Sequence, residues 1–306
     1  MIYTITLNPA IDRLLFIGEE LVKRKTNRIS KVTYDLGGKG LHGSYVMSKL
    51  KIDNLAMGLC GTNNKAALYD ILTEKNIRHE FTEVADESTR ECYIVLEEGV
   101  SGSTMFTEKG LVVSEFEKRN LLEKVRQKVT SQDMVLIAGS LPQNYLISDL
   151  EELLYVLKDS GCFIACDLSG EALLKAVEVG VHFIKPNEFE LQEIVSKNQS
   201  LTENLEALSE RVDCVIASQG EKGSFCQYQG EQFQVIAPKV EEVNDTGAGD
   251  CFVGAFLSMF YLKKPIEECL RFASGCAASK VKNNDSTSFD IEDALDLQRE
   301  VTINRL

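Results

Sequence analysis

From Ser114 onward the chain settles into a rhythm that leaves few folds open to it. Helix-like Glu115 to Val129 precedes the apolar run Met134 to Ala138, and Ile147 to Lys158 precedes Phe163 to Asp167. The pattern continues with Glu171 to Val179 before Val181 to Ile184, then Glu188 to Val195 and Leu201 to Glu210 before Cys214 to Ala217. A strand that reads as a continuous apolar run is buried on both faces. Strands separated by amphipathic helices join in parallel, because the helix carries the chain back to the same end of the sheet. The rhythm therefore predicts an α/β chain with a mostly parallel sheet covered by helices on both faces.

The flanks modify this frame. Ile2 to Leu7 reads as a strand, broken at Asn8-Pro9-Ala10 with Asp12 just beyond. Leu14 to Ile17 and Arg28 to Tyr34 look like short strands, and Gly37-Gly38-Lys39-Gly40 punctuates the entry to a helix over Leu41 to Leu50. After strand Leu55 to Cys60 and helix Lys65 to Lys75, Ile77 to Val84 and Arg90 to Leu96 alternate like half-buried antiparallel strands. A turn at Glu98-Gly99 leads into Ser103 to Phe106. Ser224 to Tyr228 and Gln232 to Ile236 form a hairpin, followed by helices over Gly247 to Leu262 and Ile266 to Lys280. One domain over 1–306 is expected. The early strands, about 12–34 and 88–108, are expected to project from the sheet as a lid, with a plain sheet extension as the alternative.

Charge narrows the partners. Lys plus Arg number 33 against 47 Asp plus Glu, so the formal charge is 33 − 47 = −14. Such a surface repels nucleic acid and anionic membrane, and neither is an expected partner. A chain this acidic that binds anions must gather its cations locally. Nine cysteines, an odd number with no C-x-x-C pair, read as buried free thiols in a reducing cytoplasm rather than a zinc site or disulfide framework. No secretory pattern or bilayer-length apolar run is visible, so a cytoplasmic location is expected. The N-x-S/T sequons at Asn198, Asn244 and Asn284 then carry no meaning.

The chemistry concentrates in four turns at strand ends, where open α/β sheets bind ligands. In Asn244-Asp245-Thr246-Gly247-Ala248-Gly249-Asp250, small residues let backbone N–H groups approach a ligand where an apolar helix begins. Unpaired N–H groups and the positive end of the dipole suit an anion there. Asp250 beside such a site reads as a base working on a hydroxyl, although the same letters also fit a Gly-rich turn capped by Asp245 or Thr246. Gly37 to Gly40 can bring N–H groups and one ammonium to a polar substrate. In Lys185-Pro186-Asn187-Glu188-Phe189-Glu190, Asn187 and Glu190 share a helix face and can hold water around Mg²⁺. Ser218-Gln219-Gly220-Glu221-Lys222-Gly223 suits a phosphate path. No G-x-x-x-x-G-K-[ST] loop, dinucleotide fingerprint or protein-kinase set is present.

In this order and spacing the four turns resemble the ribokinase/PfkB sugar-kinase family over essentially the whole chain. Thr6-Leu7-Asn8-Pro9-Ala10-Ile11-Asp12 and Ala138-Gly139-Ser140-Leu141-Pro142 are similar to its hexose-phosphate branch, that of 1-phosphofructokinases and tagatose-6-phosphate kinases. The resemblance implies a ribokinase-like three-layer α/β/α fold with a small β-strand lid. It implies Asp250 as the base, and Gly247, Ala248 and Gly249 as the anion hole for the transferring phosphoryl. Lys185, Asn187, Ser218, Gly220, Gly223 and Gly249 would line the ATP site, with Asn187 and Glu190 positioning Mg²⁺ through water. Asp12, Gly38, Lys39 and His42 would hold the sugar.

Arg28, Lys39 and Arg90 are the candidate cations for its phosphate, Arg90 standing at the start of a lid-like strand where a bidentate contact is plausible. The branch usually carries Asn two residues after Gly40, where it meets sugar hydroxyls. Here His42 stands there, either facing the sugar or on the helix surface. The expected activity is ATP-dependent phosphorylation of a ketohexose monophosphate, fructose 1-phosphate first and tagatose 6-phosphate second. A kinase for an unphosphorylated sugar or nucleoside, which His42 motivates, and an inactive sugar-phosphate sensor are the alternatives. A homodimer through the lid strands is also expected.

Overall fold

The structure, a computed structural model, describes residues 1–100, 102–195 and 200–306, and the sequon at Asn198 lies outside the described residues. The N-terminal part runs through β1 (Ile2–Thr6), β2 (Ala10–Ile17), β3 (Ile29–Gly37), α1 (Lys39–Lys49), β4 (Asn54–Gly61), α2 (Lys65–Glu74), β5 (His79–Val84), β6 (Arg90–Glu97) and β7 (Thr104–Thr107). The repeating part follows as α3 (Glu115–Lys128), β8 (Met134–Ala138), α4 (Ile147–Ser160), β9 (Phe163–Asp167), α5 (Gly170–Val179), β10 (Phe183–Ile184), α6 (Glu188–Ile194), α7 (Leu201–Ser209) and β11 (Cys214–Ser218). The chain closes with β12 (Ser224–Tyr228), β13 (Glu231–Ile236), α8 (Ala248–Tyr261), α9 (Ile266–Val281), α10 (Ile291–Leu297) and β14 (Thr302–Arg305).

The main sheet is ten-stranded in the order β14-β13-β12-β11-β10-β9-β8-β1-β4-β5. It is parallel from β5 to β11 and antiparallel from β11 to β14. Successive residues of β8 point to opposite faces. Val135 and Ile137 join a core with α3, α4, α5 and α7, while Met134 and Leu136 join one with α1, α8, α9 and α10. That period of two is why the strand reads as an unbroken apolar run, and it makes the three-layer α/β/α sandwich. All nine cysteines are free and buried. No helix among the described residues is long and apolar enough to cross a membrane.

A second sheet of four strands, in the order β3-β2-β6-β7, carries the early strands away from the main sheet. Here one expectation is overturned. β5 and β6 do not pair with each other: β5 joins β4 in parallel at the edge of the main sheet, and β6 pairs in parallel with β2. The cause lies in α2. A helix between β4 and β5 makes a crossover unit, which places β5 parallel beside β4 whatever its own half-buried alternation. The side chain of Asn64 then accepts from Thr89 N at 2.8 Å and donates to Thr89 O at 2.7 Å, turning the chain out of the main sheet just before β6. The last elements, α10 and β14, were not expected. β14 pairs antiparallel with β13 and covers what would otherwise be an open sheet edge.

Helices α1 and α8 bring the two halves of the cleft together, and they cross through glycine. A Cβ on Gly254 would lie 2.8 Å from the Val46 Cβ and 3.0 Å from the Gly43 carbonyl oxygen, so the backbones pack in near contact. Gly254→Val is expected to force this crossing apart and to destabilise the fold by at least about 2 kcal/mol, the scale of core overpacking. Urea unfolding checks this, and an unchanged midpoint would show that the crossing is elastic.

Candidate active site

The start of α8 is built around a turn that leaves its N-terminus open. Asn244 is buried, its Oδ1 accepts from Thr246 N at 3.0 Å, and its Nδ2 donates to the carbonyls of Asn284 and Asp285 at 3.0 and 3.2 Å. Lys280, fully buried, donates to the Asn244 carbonyl at 2.8 Å. The N-cap is Gly247 at φ +79° and no side chain caps the helix, so neither Asp245 nor Thr246 plays the capping part that the sequence left open. Gly247 is required twice over. Its φ is left-handed, and a Cβ there would stand 2.1 Å from the Ser286 carbonyl oxygen. The first i→i−4 bond of the helix runs from Cys251 N to Gly247 O at 2.8 Å, so the N–H groups of Gly249 and Asp250 precede it. This is the arrangement in which backbone donors and the helix dipole meet an anion.

Asp250 lies in that first turn and is paired from α1. Its Oδ2 is 2.7 Å from His42 Nδ1, and His42 Nε2 is 2.6 Å from the Leu36 carbonyl oxygen. His42 is buried, so the helix-surface alternative is overturned: the α1–α8 crossing turns it inward. Burial alone would lower the His42 pKa, but the hydrogen bond to Asp250 and the charges of Asp250 and Asp12 push it up to about 9. For Asp250 burial works toward the neutral acid, yet His42, Lys39 and Lys185 hold its pKa below the ordinary carboxylate value. Both shifts describe one ion pair, imidazolium on carboxylate.

The sugar-facing side predicted from sequence is gathered at the same place. Asp12 sits within β2 and is in register with Asp35 of β3 and Cys92 of β6. It is buried, with Oδ2 4.0 Å from His42 Nε2. Gly38 is the N-cap of α1 and Lys39 its first residue. Lys39 Nζ donates to Asp167 Oδ1 at 3.0 Å. Burial would lower its pKa, but the charges of Asp167, Asp250 and Glu190 raise it overall. Asp167 was missed. An acidic residue closing the apolar run Phe163 to Cys166 was the available signal, since strand C-terminal ends carry the ligand site.

Arg90 opens β6 in register with Ala10, two residues before Asp12. Its Nη1 is 3.4 Å from the Glu108 carbonyl oxygen, and its Nε is buried with no hydrogen-bond partner among the described residues. Arg28 is elsewhere. It is exposed just before the end of β3 that pairs with Ile17, five residues along β2 from Asp12 or about 17 Å of strand.

Across the cleft, Lys185 follows β10, is buried, and reaches toward the open helix end: a Cβ on Gly249 would be 3.5 Å from its Nζ. Asn187 caps α6. Its Oδ1 accepts from Glu190 N and Glu190 Oε2 accepts from Asn187 N, each at 2.9 Å. The two are thus locked in a reciprocal capping box, which fixes their positions and leaves the second carboxylate oxygen of Glu190 outside it. Asn187 also bridges to Ser218 at the end of β11, and a short helical turn over Gly220–Lys222 with Gly223 at φ +100° carries the chain on into β12. The four turns of the sequence therefore line one edge of the sheet.

Asp12 sets a cost on this arrangement. Burial raises its pKa to about 6, against the opposing charge of His42. The folded state thus binds its proton more tightly than the unfolded chain, whose value is 3.8, and stability falls as pH rises between the two. Asp12→Asn is expected to stabilise the protein by about 1–3 kcal/mol at pH 8 and to lose that advantage at pH 4. Thermal unfolding at the two pH values reads the difference.

With this geometry in hand, the kinship of the chain can be stated. Residues 5–293 match the model of the pfkB family of carbohydrate kinases. A 1-phosphofructokinase of Bacillus subtilis (strain 168) is 29% identical over 286 residues, covering 91% of this chain and 92% of that protein. Among solved structures, a putative phosphofructokinase from Staphylococcus aureus superposes with a TM-score of 0.83 at 25% identity, over 100% of this chain and 99% of the other. The phosphofructokinase-2 of Escherichia coli in complex with substrates and products gives a TM-score of 0.91 at 23% identity over 98% of each chain, a likeness of fold. The ribokinase of Arabidopsis thaliana complexed with ribose and ATP gives 0.75 at 22%, over 97% of this chain and 98% of the other. An uncapped helix terminus facing a buried, charge-paired carboxylate is the chemistry a phosphotransferase to alcohols needs, and the chain belongs to the pfkB family of carbohydrate kinases.

Proposed function

We propose that this kinase transfers the γ-phosphoryl group of ATP to a hydroxyl of fructose 1-phosphate, giving fructose 1,6-bisphosphate and ADP. The observation that carries the reading is Asp250: a carboxylate held ionised by His42 in the first turn of a helix whose N-terminus has no cap. Whereas the N–H of Ala248 turns back to the Asp245 carbonyl at 3.1 Å, those of Gly247 and Gly249 can receive the transferring phosphoryl. Asp250 is aimed at the hydroxyl that attacks it, and Lys39 and Lys185 supply positive charge that an acidic chain otherwise lacks. Asp12, Gly38 and Lys39 bind the sugar. Arg90, with a buried guanidinium nitrogen lacking a partner beside β2, binds its phosphate. The name of the Bacillus relative supports the choice of sugar phosphate.

Lys185, Asn187, Ser218, Gly220, Gly223 and Gly249 line the path for ATP in this reading. Mg²⁺ fits the same side. Glu190 bears on the charge of Lys39, and one of its carboxylate oxygens lies outside the capping box, as a hydrated ion held by one carboxylate requires. Bound there with Asn187, the ion would offset charge on the nucleotide phosphates. The reading for an unphosphorylated sugar rested on His42 meeting sugar hydroxyls, and both its ring nitrogens are already hydrogen-bonded within the chain.

A coupled ADP-release assay over fructose 1-phosphate, tagatose 6-phosphate, free ketohexoses and nucleosides tests the proposal, with fructose 1-phosphate expected to give the highest kcat/KM. Asp250→Asn should abolish turnover while ATP binding persists, which an inert sensor would not show. Arg90→Ala should raise the KM for the sugar phosphate by roughly 30-fold, the equivalent of about 2 kcal/mol for a phosphate clamp. An unchanged KM would remove the phosphate from the reading.

The proposal extends to a cytoplasmic homodimer joined through the lid sheet, whose Val32, Tyr34, Met105 and Phe106 are exposed. These residues lie on β3 and β7, the two edge strands of that sheet, and exposed apolar side chains on an edge strand are a surface that pairing would cover. Sedimentation equilibrium should return twice the chain mass, and a monomer at all concentrations would exclude the dimer.

A further inference from the structure

His42 spends both of its ring nitrogens inside the protein. The Leu36 carbonyl can only accept, so the 2.6 Å contact requires a proton on Nε2. The remaining question is the 2.7 Å contact between Nδ1 and Asp250 Oδ2, which holds one proton between them. The surroundings place that proton on the ring. The imidazole is faced by two carboxylates, Asp250 from α8 and Asp12 from β2, and by the Leu36 carbonyl from β3, with Asp35 adjoining Asp12. The nearest cations, Lys39 and Lys185, act on Asp250 from other sides. A neutral ring would deprive Asp12 of the His42 charge that opposes its burial and leave Asp250 to the two ammonium groups, whereas an imidazolium adds compensation to both. The ring also lies against the N-cap: a Cβ on Gly247 would be 3.0 Å from Nδ1.

We propose that His42 is the positioning residue of the transfer centre, an imidazolium anchored on the Leu36 carbonyl that clamps Oδ2 of Asp250 and leaves Oδ1 to take the proton of the acceptor hydroxyl. This rests on the reading of Asp250 as the base. In the step itself the sugar oxygen forms its bond to the γ-phosphorus while the bond from that phosphorus to the bridging oxygen breaks, the electron pair leaving with ADP. The hydroxyl proton passes to Asp250 Oδ1 and returns to water after products depart. His42 neither gains nor loses a proton. It fixes the carboxylate's rotation and keeps it ionised, so turnover depends on a ring that stays charged. An asparagine at this position would offer an amide NH₂ and no charge, which makes His42→Asn the informative substitution.

The wild-type kcat is expected to fall at high pH as the ring titrates. In His42→Asn that alkaline limb should vanish and the acid limb should move to higher pH, because the charge that held Asp250 ionised is gone. His42→Ala should lose about 10–100-fold in kcat, the scale of a hydrogen bond to a charged group, with the KM for the sugar nearly unchanged. Unaltered pH limbs in His42→Asn, or a rise in KM at constant kcat, would overturn the proposal in favour of a sugar contact.

A second measurement needs no activity. In ¹⁵N-labelled wild-type protein, with His42→Asn identifying one of the three histidines, both ring nitrogens of His42 should report protonation at neutral pH, and Nδ1 should lose its proton near 9 while Nε2 keeps its own. A neutral ring with a proton on Nε2 alone would sink the proposal even in an active enzyme. A charged ring in a protein that phosphorylates no sugar would instead refute the assigned activity and leave the ion pair standing.

Discussion

Everything at the head of the cleft depends on keeping one carboxylate charged where water is scarce. An isolated buried carboxylate escapes its desolvation by taking up a proton, and as a neutral acid Asp250 would have no basic oxygen to offer. The chain answers from three directions. The start of α8 supplies oriented N–H groups, α1 supplies the His42 imidazolium, and the ammonium groups of Lys39 and Lys185 add charge from α1 and the end of β10. The same groups border the uncapped N-terminus of α8, so the carboxylate and the anion-favouring helix end are one electrostatic construction, in a protein with a formal charge of −14.

That construction needs two helices from opposite ends of the chain to meet, and the packing shows how they do. α1 and α8 cross where Gly43 and Gly254 remove side chains from the contact, which brings residue 42 to residue 250. A separate tie joins the four-stranded sheet to the same place. Asp35 in β3 pairs with Lys75 at 2.7 Å and accepts from Ser286 N at 3.0 Å and from Thr287 Oγ1. The Ser286 carbonyl in turn abuts Gly247. The strand that faces Asp12 and the turn that opens α8 thus share a buried polar network, which over-determines both positions far more than either sheet alone would.

Much of this was legible in the sequence because it is local. The crossover rhythm, the buried strands and the four turns follow from periodicity and from glycines within a few residues, and the sheet carries the turns to one edge, as parallel topology demands. What was not legible is what depends on distant partners. β6 alternates like a neighbour of β5, but its partner is β2, 80 residues upstream at the Ala10–Arg90 register. Arg28 and Arg90 look alike as candidate cations, and only the register of β2, β3 and β6 separates them. His42 reads equally as a sugar ligand or a surface residue until α8 is packed against it. Lys39 and Asp167 lie 128 residues apart and nothing in either neighbourhood announces the other. α10 and β14 are short, and they form because the edge of β13 and the face of α9 are there to receive them.

The distribution of charge also explains why the site is bought with stability rather than built from it. Asp12 is buried beside His42 with too little compensation to hold its pKa down, and Asp250 is ionised only through partners that are themselves desolvated. Buried pairs of this kind return little net folding energy, since the attraction mostly offsets the desolvation of both ions. Their value is geometric: with Nε2 tied to Leu36 and Nδ1 to Asp250, the ring has one orientation, and the carboxylate inherits it. A site whose charges are each held by a second charge can shift its proton affinities without moving an atom. For phosphoryl transfer, where positioning and charge neutralisation carry most of the catalysis, that is the property selected.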